Sequence, residues 1–253
     1  MKYSIIVVIA RTELKMALKS KMVKAGFLVV AILGPLITLI SLGIPLAFLR
    51  PGPDIQLLVD FMMPTLPAML GVFSLVPATL IAANAIVGER EQSTLEPLLC
   101  TPLTDKELLL GKMLSSFIPG IIVLFLQIIL SFLAVTIPLV LMNKPLFLFP
   151  NLPGLFLLVL VTPIMSIAVV SAVIIISGKV SRVYEAYQTA GLVTLIFMVP
   201  MVGPLMILES GTENIHQIWF LNVLTLCIAI ILTALSSLIA LNRFNRDAMV
   251  SRI

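Results

Sequence analysis

Histidine, cysteine and charge are all scarce in this sequence, and each shortage excludes a class of chemistry. There is one histidine, His216, and there are two cysteines, Cys100 and Cys227, far apart along the chain. A metal centre draws on clustered Cys, His and carboxylate ligands, and a Cys–His nucleophile pair needs both side chains within reach. No such cluster is written here, so no catalytic residue and no metal ligand is assigned. A phosphate-binding loop is missing as well, because Gly111-Lys112 lacks both the earlier glycine and the following hydroxyl that the motif requires. Any ATP used must be bound with its Mg and hydrolysed on another polypeptide, leaving this chain without a cofactor of its own. Ionisable residues are also missing from the middle of the long apolar runs, where ion-coupled transporters keep them.

What remains is overwhelmingly apolar. Of 253 residues 60% are hydrophobic and 11% charged, and the mean hydropathy is +1.19. Asp, Glu, Lys and Arg are absent from 25 to 49, 61 to 88, 113 to 143, 145 to 178, 186 to 208 and 217 to 242. Each run meets the ~20 residues needed for a membrane-spanning helix. The expectation is a single all-α transmembrane domain over 1–253, with spans at 25–49, 61–87, 113–142, 154–177, 187–208 and 219–242. A transmembrane barrel is rejected, because its strands alternate polar and apolar residues whereas Ile121 to Leu141 is apolar on every side.

Orientation follows from the basic residues at the span ends. Lys2, Arg11, Lys15, Lys19, Lys21 and Lys24 precede the first span. Arg90, Lys106 and Lys112 lie between spans two and three, Lys179 and Arg182 between four and five, and Arg243, Arg246 and Arg252 after six. Only Arg50 and Lys144 fall on the opposite face. Both termini and residues 88–112 are therefore expected in the cytoplasm of a multi-pass protein of the cell (plasma) membrane. The net charge of +4 then reflects this bias and an anionic inner leaflet, so membrane lipid is an expected partner and nucleic acid is not. Ile5 to Ala10 is too short for a signal-peptide core and no cleavage site follows it. At helical spacing Val7, Ala10, Leu14 and Leu18 share one face, and Arg11, Lys15 and Lys19 line the next. Residues 1–24 thus read as an amphipathic interfacial helix, with Glu13 among its charged positions, that serves as a lipid anchor or also meets a cytosolic partner.

Prolines and glycines punctuate the spans: Gly34-Pro35, Pro45, Pro64, Pro67, Pro77, Pro119, Pro163, Pro200 and Pro204. Each proline removes a backbone donor, so packed and kinked helices are expected. The outer segments 143–154 and 200–220 read as re-entrant or interfacial pieces. Spans two and five collect methionines (Met62, Met63, Met69, Met198, Met201, Met206), and Met62, Met69, Asn84, Met198 and Met201 are candidates to line a soft substrate path; core packing is the competing explanation.

One stretch, GEREQSTLEPLLCTPLTDKELLLGK at 88–112, concentrates charge between spans two and three. Ser93 to Glu96 and Thr104 to Glu107 both have the capping-box pattern, and Thr101-Pro102 breaks the chain between them. A short helix over about Thr94 to Cys100 is expected to present Leu95, Leu98 and Leu99, ringed by Glu89, Arg90, Glu91 and Glu96. A second helix should begin near Asp105, with Glu107 in its first turn, and run into span three. A helix lying on the bilayer would carry fewer carboxylates next to an anionic leaflet. A docking surface is the better reading.

The order G-E-R-E-x-x-T-L-E-x-L-L-x-x-P-L-x-x-x-E-L-L-L-G-K from Gly88 to Lys112 resembles the signature of type-2 ABC exporter (ABC-2) permeases. Agreement extends to R-T-E-L-K at 11–15, to S-G-K-V-S-R-V-Y-E-A-Y-Q between spans four and five, and to N-R-F-N-R-D after span six. The resemblance implies a six-span permease half that pairs with a second permease subunit, as homo- or heterodimer, and binds separate ABC ATPase subunits through a short cytoplasmic coupling helix in 88–112. Only PGPDIQLLVD stands between spans one and two, where relatives similar to sodium exporters carry a large outer domain. Export of a drug, lipid, polysaccharide or peptide is therefore implied rather than sodium extrusion. An ATP-independent membrane scaffold or channel is the alternative.

Overall fold

In a computed structural model, residues 2–19, 21–49, 52–91, 104–180, 182–202 and 215–243 are described. All the regular structure among them is helical. An N-terminal helix, α1 (Lys2–Ala17), precedes six helices long and apolar enough to cross a membrane: Val23–Phe48, Pro53–Glu89, Asp105–Leu141, Leu152–Ser177, Val183–Val202 and His216–Asn242. They are called spans one to six below.

Span two is the central helix. It packs on spans one, three, four and five and is the most buried of the six. Its sequence explains this, because Ala68, Gly71, Ala78, Ala82, Ala83, Ala85 and Gly88 let neighbouring backbones come close, as membrane packing requires where lipid is as apolar as the protein. Where span three crosses it, a Cβ added at Gly120 would lie 3.0 Å from Ala78 Cβ and 3.2 Å from Ser74 O. Span six packs chiefly on span four, where Thr233 donates to Ile164 O (2.9 Å) and Asn222 to Pro153 O (2.9 Å).

Proline shapes spans one and four in the same way. Each contains one π-helical segment, Leu39–Gly43 and Leu157–Val161, and each segment ends two residues before a proline, Pro45 and Pro163. A proline offers no N–H and its ring crowds the carbonyl four residues back, so the ladder widens by one residue: Ile44 N–H reaches Leu39 O and Thr162 N–H reaches Leu157 O. In span one the widened turn carries Gly43, where a Cβ would stand 2.5 Å from Ala134 O of span three.

Helix limits differ from the apolar runs where polar residues do not interrupt a helix. Span two begins at Pro53, not 61, because proline suits a first helical position and Asp54 a first turn. The third helix begins at Asp105, ahead of its apolar run, as its capping box predicts. Of the two irregular segments, 144–151 is non-helical and leads into span four at Leu152. Residues 203–214 lie outside the described set. Lys144 closes the far end of span one, donating to Leu46 O (3.0 Å) and Leu49 O (2.6 Å), carbonyls that a helix terminus leaves without internal partners.

Candidate functional site

At the end of the bundle where α1 lies, the two flanks of the charged stretch come together. Lys112, on the second turn of the third helix, is 1% exposed. A buried ammonium has three donors to satisfy and is costly without partners. Here Nζ meets Glu13 Oε1 at 2.9 Å and Glu89 Oε1 at 2.7 Å, and it donates to Ala85 O on span two. All three donors are used. The carboxylates are nearly closed off too, with side-chain exposures of 14% for Glu13 and 13% for Glu89. Ser115 and Ser116 donate to Lys112 O at 2.8 and 2.9 Å, so the next turn below the lysine is also satisfied.

The local sequence makes room for this cluster. Gly111 precedes Lys112, and a Cβ there would lie 2.6 Å from Ile9 Cγ2 and 2.9 Å from Ile9 Cβ. Its missing side chain is what lets α1 lie against the third helix and bring Glu13 to the lysine. This contact also sets which face of α1 is covered. Ala10 is buried and Ile6, Ile9, Glu13 and Leu14 are half-buried, while Val7 and Leu18 of the expected apolar face are exposed. The covered stripe is thus rotated toward Ile9 and Glu13 by the partner it packs on. Arg11, Lys15 and Lys19 remain exposed, as an interfacial polar face requires.

Two further contacts hold the flanks of 92–103. On the N-terminal flank, Glu91 Oε1 accepts from Val183 N–H at 2.8 Å, so this carboxylate caps the start of span five. On the C-terminal flank the capping box is complete: Glu107 N–H donates to Thr104 Oγ1 (3.3 Å) and Thr104 N–H to Glu107 Oε2 (2.9 Å). Ser177 of span four donates to Ala83 O (2.7 Å), one turn before Val87. Every span from two to five therefore contributes to this end of the bundle.

Of the expected docking residues, Glu89, Arg90 and Glu91 lie on the last turn of the helix Pro53–Glu91 that holds span two, and Glu107 on the first turn of span three. Thr94, Leu95, Glu96, Leu98, Leu99 and Pro102, with the first capping box, lie outside the described residues. The path candidates are not gathered in one place. Met201 is 1% exposed, and its Cε stands 2.6 Å from where Gly71 would carry a Cβ. Met198 packs on the same core, whereas Met62 packs on a second cluster with Leu66 and Leu70. Met69 and Asn84 are half-buried, and Asn84 Oδ1 fills the space beside Gly88.

Lys112 and Glu13 as partners are what spacing alone did not disclose, since they are separated by 99 positions. A signal was present nonetheless: a lysine inside L-L-L-G-K-M-L, on a helix already running toward the apolar span, needs acidic partners from elsewhere.

A family model described as ABC-2 family transporter protein matches residues 7–249, nearly the whole chain. No curated protein matches it significantly.

Proposed function

The chain belongs to the ABC-2 transporter family, and on that premise we propose that it is the membrane-spanning permease subunit of an ATP-binding cassette exporter. Residues 88–112 dock a separate ATPase subunit, which binds ATP and Mg. Both termini and this segment face the cytoplasm of the plasma membrane, and a second permease subunit completes the transporter. The carrying observation is the anchorage of the docking segment: Glu89 and Lys112, one from each flank, meet in a buried ion cluster. A merely solvated loop has no use for flanks fixed in this way, whereas an element that receives mechanical work needs them.

The leucines Leu95, Leu98 and Leu99 supply the apolar contact, with Arg90, Glu91, Glu96 and Glu107 around it, while Glu89 anchors the flank from within. The substrate is apolar or amphipathic, of the drug, lipid, polysaccharide or peptide class, because no charge stands at mid-membrane to bind an ion. It passes between the two permease halves along spans two and five, beside Met62, Met69, Asn84, Met198 and Met201. Photo-cross-linking by an amphipathic probe confined to spans four and six would contradict that path.

The docking test is copurification with the ATPase subunit. Stranding the partner of a buried charge pair costs about 2–5 kcal/mol, and truncating a buried leucine about 1–3 kcal/mol. Glu96→Lys should abolish retention of the ATPase subunit and Leu98→Ala should weaken it, with the permease still folded. Glu213→Lys, on the opposite face, should retain it fully. Retention by all three variants sinks the docking reading.

A further inference from the structure

Among the described residues, the ion cluster sets two carboxylates against one ammonium. Glu89 alone balances the charge of Lys112 and sits closer to it, at 2.7 Å. Glu13, at 2.9 Å, brings a second carboxylate to a nearly closed site, where a charged group is held only at a cost in desolvation. What Glu13 adds beyond neutralisation is a connection, because it is the member that comes from α1. The same connection is made sterically a residue away, where Gly111 admits Ile9. Two independent features, one ionic and one a close approach, thus fasten α1 to the helix that begins just after segment 92–103. Glu89 fastens the segment's other flank to the same lysine.

We propose that Glu13, Glu89 and Lys112 form a latch that makes α1 and both flanks of 92–103 one rigid unit, with Glu13 as a positioning residue for the ATPase-docking segment. This rests on the docking role of 88–112 proposed above. When the ATPase subunit displaces the segment, the latch carries that movement to spans two and three through Glu89 and Lys112. It carries the same movement to the interfacial helix through Glu13. Without Glu13 the lysine keeps its neutral pair with Glu89, so the fold survives and only the tie to α1 is lost.

The test uses the complex of the full chain with its ATPase subunit in lipid nanodiscs, with Cys100 and Cys227 replaced by serine. Glu13→Ala should keep the ATPase subunit bound yet lower ATP hydrolysis by at least about fivefold, the lower end of ordinary coupling between sites. Glu13→Asp, which keeps the charge, should recover most of the rate. Gly111→Leu, which pushes α1 away without touching the charges, should reproduce the loss. The decisive variant adds Ile9→Cys and Gly111→Cys to Glu13→Ala. Their Cβ positions are 2.9 Å apart, and a small shift reaches the roughly 3.5–4.5 Å of a disulfide. Oxidation should restore hydrolysis, and dithiothreitol should remove it again.

Unaltered hydrolysis in Glu13→Ala, or no recovery with the disulfide closed, overturns the latch while leaving docking intact. Failure of the unmodified chain to hold the ATPase subunit overturns the docking reading and the latch together.

Discussion

Two lysines stand at the two ends of span three, and their surroundings differ in kind. Lys144, just beyond the helix, is half-buried and donates to the last carbonyls of span one. Lys112, near its start, is 1% exposed and meets two carboxylates drawn from α1 and span two. The first completes a helix terminus, a local duty that water or a headgroup can take over. The second joins three segments and has no substitute at hand. The difference locates the demanding end of the molecule: among the described residues, the end where 88–112 begins and ends is tied by charge, and the opposite end by caps and packing, such as the edge-to-face contact of Phe156 with Trp219 at 5.4 Å.

The largest loss is expected at Lys112. Lys112→Met strands both carboxylates and should cost about 3–5 kcal/mol, read as loss of monodisperse protein in detergent or a large fall in Tm. The triple variant Lys112→Met, Glu13→Gln, Glu89→Gln should be more stable than Lys112→Met alone because no charge is left unpaired. Glu89→Gln should come next, at about 1.5–3 kcal/mol for one charge-assisted bond, since Glu13 still balances the lysine. Lys144→Met should be the mildest, about 0.3–1 kcal/mol for a cation at a helix C-terminus, with a thermal melt close to that of the unmodified protein. A Lys144 effect equal to that of Lys112 would erase the distinction between the ends.

Much of this fold was legible in the sequence, and the reason is the solvent. Charge-free runs report helices because lipid allows few other structures, and the capping box from Thr104 to Glu107 marked the third helix start at Asp105. The helix containing span two starts ahead of its apolar run because Asp54 and Asp60 end that run without ending a helix. The site was legible only in its outline. Gly88 to Lys112 stands out by its charge, but Lys112 looks like one basic residue among those at the span ends. Its burial depends on Glu13, 99 positions away, and on the room left by Gly111. Likewise the charge of Glu91 marks it as a docking candidate, and its bond to Val183 N–H depends on where span five begins. Periodicity reports faces of one helix; it does not report which helix arrives at them.

If the end bearing the ion cluster is cytoplasmic and receives the ATPase subunit, as proposed, thiol labelling will show both properties in one experiment. Single cysteines at 105 and 145, in a chain with Cys100 and Cys227 replaced by serine, are exposed to an impermeant maleimide in right-side-out vesicles. They are then labelled again after permeabilisation, with and without bound ATPase subunit. Position 145 should be labelled from outside and 105 only after permeabilisation, with 105 shielded when the ATPase subunit is bound. Labelling of 105 from outside, or equal labelling of 105 with and without the ATPase subunit, would contradict the proposal.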